Sequence, residues 1–107
     1  MSRAANGHEC YQLPDAKPSF VRVALDVLTT DFGFTLLRKP IVGLDEIVAE
    51  VQRGEVRLYV AWDIWMGFDI LSQSDIGDPV VRELASHFDA RKDEHRYDRH
   101  FKAISVG

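Results

Sequence analysis

The sequence predicts a small α+β domain, and three observations carry that expectation. Apolar residues recur at alternate positions through Val56, Leu58, Val60 and Trp62, and again at Phe68 and Ile70, which is the period of a strand. Ahead of them, Phe20, Val23, Ala24, Val27 and Leu28 fall on one stripe of a helix. Behind them, Val80, Val81, Leu84 and Phe88 form a second helical stripe. The expected architecture has two layers, an antiparallel sheet of about four strands in meander order with an N-terminal and a C-terminal helix packed on one face.

The elements follow in order. Residues 1–17 contain Gly7, Pro14 and few periodic apolar positions, so they read as a mobile N-terminal arm in which only Tyr11 and Leu13 offer local docking. The first helix is expected over 18–31, with Gly33 ending it in the left-handed conformation that glycine accepts. Phe34-Thr35-Leu36-Leu37-Arg38 reads as the first strand, stopped by Pro40. From 44 to 52 two readings stay open. Ile47, Ala49 and Val51 alternate as in a strand, while Leu44, Ile47, Val48 and Val51 match a helix. Arg53-Gly54 is a link of hairpin length to the next strand, which favours the strand.

The third and fourth strands put Val56, Leu58, Val60, Trp62, Phe68 and Ile70 on the core face and Arg57, Tyr59, Asp69 and Leu71 on the other. Asp78 is expected to cap the second helix over 78–89, with Pro79 at its first position. The mixed-charge run from Arg91 to His100 either prolongs that helix into solvent or forms an irregular surface segment, after which Phe101, Ile104 and Val106 can dock. Residues 18–107 thus form one domain.

Composition narrows the function. With 107 residues, 46% hydrophobic and 28% charged, the chain is an ordinary globular domain able to bury a core. The single cysteine, Cys10, excludes an intrachain disulfide, and no apolar run near Met1 suggests a secretory signal or a membrane span, so the expected location is the cytoplasm. Seventeen acidic side chains against thirteen basic ones give a net charge of -4, which argues against nucleic acid and suits a basic protein partner.

Catalytic patterns are absent. Asp45-Glu46 and Asp93-Glu94 are adjacent carboxylates, which do not converge on one point. His8, His87, His95 and His100 lack the spacing that lets one helix face present two metal ligands, and Cys10 has no second thiol nearby. Asp31-Phe32-Gly33 matches a kinase triplet without the glycine-rich loop or strand lysine that would give it meaning. Neither a metal nor a cofactor is expected, and a non-enzymatic role is favoured.

Two features suit protein recognition instead. The turn between the third and fourth strands, Asp63-Ile64-Trp65-Met66-Gly67, carries large apolar side chains where a hairpin loop is normally polar. Trp62 and Phe68 read as core, whereas Trp65 either folds over the hairpin end or, with Met66, anchors a partner. The outer sheet face offers Glu50, Gln52, Arg57, Tyr59, Asp69 and Leu71, a set compatible with an interface or with a simply solvated face.

An amphipathic helix ending in Asp31-Phe32-Gly33-Phe34, paired strands with Val56-Arg57-Leu58-Tyr59-Val60, and a turn bounded by Asp63 and Gly67 together resemble small bacterial proteins of immunity type over roughly residues 20 to 73. The resemblance implies neutralisation of a secreted toxin by binding; the apolar Ile64-Trp65-Met66 turn departs from the polar turn usual there. The expected partner-binding set is Glu50, Arg57, Tyr59, Asp63, Trp65, Met66 and Asp69, with the acidic members facing a basic toxin. Two alternatives stay open: a homodimer through the same face or a strand edge, and a small enzyme or ligand binder with a pocket between sheet and helices.

Overall fold

A computed structural model describes Ser2–Arg3 and residues 7–102. Strands β1 (Ser2–Arg3), β2 (Glu9–Leu13), β3 (Thr35–Leu36), β4 (Ile41–Val42), β5 (Glu46–Arg53), β6 (Val56–Asp63) and β7 (Gly67–Ser72) form one antiparallel sheet. Its order is β1-β2-β7-β6-β5-β3, and β4 also pairs with β5. Helices α1 (Phe20–Thr30) and α2 (Asp78–Arg91) are followed by a 3-10 segment, His95–His100.

The meander from the first expected strand to the fourth is present. β3 and β4 lie in line along the same edge of β5, opposite Val51-Gln52 and Ile47-Val48 respectively. The register slips between them because Arg38-Lys39-Pro40 leaves the ladder, and proline has no N–H to give it. Residues 46–53 are strand, which decides the ambiguity in that region. Isolated helical period loses here to eight paired positions on β6.

Two expectations need correction. The sheet has seven strands and not four: part of the expected arm supplies β1 and β2, and the chain after Pro40 supplies β4. β2 pairs with β7 through Cys10, Tyr11, Gln12 and Leu13 and also with β1, so it lies inside the sheet. Five residues with Gly and Pro on either side showed too few alternations to read as a strand; Tyr11 and Leu13 are nonetheless buried. Asp78 does not cap α2, because it stands inside the helix and Gly77 occupies the cap position without a side-chain bond. Its carboxylate reaches back instead to accept from the Glu9 amide at 3.1 Å, tying β2 to α2. Burial opposes ionisation of Asp78, yet the Glu9 amide, the Ser72 hydroxyl and His8 outweigh it and hold the carboxyl below its usual range.

Both helices cover the same face. The core consists of Leu58, Val60, Phe68 and Ile70 from the sheet beneath Phe20, Ala24 and Leu28 of α1 and Val81, Leu84 and Phe88 of α2. Each of these side chains other than Ala24, fully buried, contributes about 1.5–3 kcal/mol. Phe20 is the hub, with ring centroids 5.0 Å from Phe68, 5.8 Å from Phe88 and 5.0 Å from Phe101. Phe101 therefore docks as expected, whereas Ile104 and Val106 lie outside the described residues. The mixed-charge run does not prolong α2, which stops at Arg91 before the 3-10 turn. These aromatic and aliphatic groups fill the centre of the core, while toward the β4 edge an open apolar cavity of about 290 Å³ remains between Val21 and Leu25 of α1 and Val42 and Ile47 of the sheet. Among the described residues no helix covers the opposite sheet face.

Candidate protein-docking site

The hairpin tips at one end of the sheet build the most exposed apolar surface among the described residues. β6 and β7 are joined by Ile64-Trp65-Met66, with Asp63 paired to Gly67. Asp63 Oδ1 accepts from the Trp65 amide at 2.9 Å and the Met66 amide at 2.7 Å, a local turn that aspartate favours. Gly67 completes it at φ +76, and its missing side chain also admits β2, since a Cβ there would lie 2.6 Å from the Pro14 carbonyl.

A second tip stands beside the first. β4 and β5 are joined by Gly43-Leu44-Asp45, closed by a Gly43 amide donating to the Glu46 carbonyl at 2.8 Å. The Ile64 amide donates to the Asp45 carbonyl at 3.0 Å and so fastens the two tips together. Between them lies an open concavity of about 630 Å³ whose lining combines apolar Leu44, Trp65 and Met66 with acidic Asp45, Glu46 and Asp63. Trp65 is 80% exposed and Met66 52%, so Trp65 does not fold over the hairpin end. Leu44 is wholly exposed.

The other expected residues divide. Trp62 faces the core and donates from Nε1 to the Ala16 carbonyl at 2.8 Å. Tyr59 and Arg57 do lie on the open face, as the alternation required, opposite Glu50 and Gln52 of β5. Glu50 is buried on that face and already partnered, accepting from Arg38 at 3.2 Å and Gln73 at 3.3 Å, with Arg57 at 4.0 Å. It positions those groups and leaves no free charge for a partner. Asp69 pairs with Ala61 next to the tip, and burial, reinforced by the charge of Asp63, pushes its carboxyl up to about 6. Asp63, Trp65 and Met66 are thus brought together, while Glu50, Arg57 and Tyr59 form a separate patch nearer the middle of the sheet.

Sequence reasoning missed Leu44, Asp45 and Glu46. Their signal was Gly43-Leu44-Asp45, a turn sequence that puts a leucine at a loop tip, and the open helix reading across 44–52 hid it. Glu46 stands directly opposite Asp63 across β5 and β6, a like-charge pair, and no basic side chain pairs with Asp45, Glu46 or Asp63 among the described residues. Such pairing works against the sheet.

Titratable groups elsewhere are explained by structure. His8 Nδ1 lies 3.3 Å from Asp78 and 3.6 Å from Asp75, and the three could hold an ion, but Asp78 is already engaged in anchoring β2. The Cys10 thiol is pushed up to about 11 by burial and by Asp69, which makes it a poor nucleophile. Tyr11 donates to Asp89 at 2.6 Å, and burial together with that bond raises its hydroxyl well above its ordinary value. No described helix is long and apolar enough to cross a membrane. Compared with family models, with curated proteins and with solved structures, the chain matches none.

Proposed function

We propose that the chain is a protein-binding module which docks its partner on the hairpin tips and the adjoining open sheet face. The carrying observation is the exposed apolar group Leu44, Trp65 and Met66 gathered beside Asp45, Glu46 and Asp63 on two hydrogen-bonded turns. Turns with a fixed backbone lose little main-chain freedom on binding, and aromatic and Met residues are enriched at interfaces. The acidic residues there and the net charge of -4 suit a basic partner, whose approach such a field accelerates.

Within that reading the most specific function is that of an immunity-type inhibitor, sequestering a basic toxin domain in the bacterial cytoplasm. The supporting features are the acidic tip, the small α+β frame and the immunity-type resemblance over residues 20 to 73. Co-expression with the product of the adjacent gene tests it. Restored growth with a co-purifying complex, both lost in the Trp65→Ala chain, is the expected result; a complex unaffected by Trp65→Ala refutes the site, and no complex refutes the inhibitor reading.

Self-association is the second reading, and one observation favours it. Ile41 and Val42 on the edge strand β4 are 64% and 70% exposed, so the edge offers apolar residues to another chain. Sedimentation equilibrium separates the two: the docking reading expects a monomer across the concentration range, and a constitutive dimer disrupted by Val42→Lys supports the other.

A further inference from the structure

We infer that the concavity between the two tips is a seat for an arginine side chain of the partner, its guanidinium stacked on Trp65 and forked onto Glu46 and Asp63. The inference rests on the docking reading and gives that surface one chemical occupant.

Three observations converge on it. Glu46 and Asp63 face each other directly across β5 and β6, and no basic side chain among the described residues pairs with either, an arrangement that a third, positive group would relieve. Asp63 commits Oδ1 to the Trp65 and Met66 amides, so its position is fixed while Oδ2 has no protein partner among the described residues. Leu44, Trp65 and Met66 supply an apolar lining beside those carboxylates. A hydrated metal ion or a lysine ammonium gains little from such a lining. A guanidinium is planar and weakly hydrated, stacks on an indole face and binds carboxylates through two parallel N–H groups, so it uses both kinds of lining at once. A second copy of this chain is a poor occupant, because both copies carry the same acidic excess.

The probe is Nα-acetyl-arginine amide, titrated into the isotopically labelled chain and followed by amide and indole NMR shifts. Saturable shifts are expected at residues 43–46 and 63–66 and at the Trp65 indole. Lysine amide should bind more weakly and leucine amide should give no saturable response. The double variant Glu46→Gln, Asp63→Asn should weaken arginine amide by roughly tenfold or more. Asparagine retains the Oδ1 acceptor for the turn, and loss of the like-charge pair should raise the thermal midpoint, which distinguishes a functional loss from misfolding. No saturable shift, an equal response to leucine or lysine amide, or unchanged affinity in the double variant would overturn the assignment. A protein partner that needs Trp65 but tolerates the double variant would defeat this inference and leave the docking reading intact; arginine amide bound at the tips with no protein partner would do the reverse.

Discussion

At the scale of single residues, neighbouring side chains of the same type have been given different work. Trp62 and Trp65 are three positions apart, yet the first is held in the core by its bond to Ala16 and the second stands in solvent. Replacing Trp65 with alanine should therefore change stability by no more than about 0.5 kcal/mol, as at an ordinary surface position. Partner affinity should fall by about tenfold or more if Trp65 is an anchor. Thermal melts and calorimetric titration check the two halves separately. Asp69 offers a pH test. Because its carboxyl is raised to about 6 in the folded chain, the folded state holds the proton that the unfolded state has already released above pH 3.8. Stability associated with this group is thus full below about 3.8 and is lost as pH rises through about 6. Asp69→Asn should raise the melting midpoint at pH 7.5 and leave it nearly unchanged at pH 3.5, and melts of both chains across that interval would show it. Cys10, buried and poorly ionised, should resist iodoacetamide at pH 8 in the folded protein and react once denaturant is added.

At the scale of elements, the hairpins are governed by a few turn residues. Gly54 and Gly67 both have positive φ, but their surroundings differ. A Cβ at Gly54 meets nothing within 4 Å, whereas one at Gly67 would collide with the Leu13 and Pro14 carbonyls. Gly54→Ala should cost about 1 kcal/mol from the backbone conformation alone. Gly67→Ala should cost clearly more and pull β2 from β7, and urea titration of the two variants should rank them in that order. The same local logic explains what could be read in advance. The third and fourth strands and both helices were legible because six or more residues in each repeated one period over a buried face. β2 was not, because its place depends on distant anchors: the β7 ladder, the Asp78 carboxylate and the Tyr11 bond to Asp89. Strand β5 fitted two periods at once, and its pairing with β6 on one edge and with β3 and β4 on the other decides between them.

At the scale of the whole molecule, both helices are spent on one face of the sheet, so among the described residues the opposite face has no helix over it and the tips stand exposed. Leu58→Ala, at a wholly buried core position of β6, should cost about 2–5 kcal/mol and unfold all the elements together in a single transition by circular dichroism and tryptophan fluorescence. The alternation in β6 and β7 was enough to predict which residues face outward. It could not show that Glu50 would be paired with Arg38 and hydrogen-bonded by Gln73, or that the Gly43-Leu44-Asp45 loop would be fastened beside Trp65, since both depend on strand pairing. The acidic, apolar tip is the product of two hairpins meeting. The most direct test is an amide NMR footprint of the labelled chain in complex with the product of the adjacent gene. The perturbed amides should cluster at residues 43–46 and 63–66 and spread onto Arg57 and Tyr59; a footprint confined to the solvent faces of α1 and α2 would contradict the account.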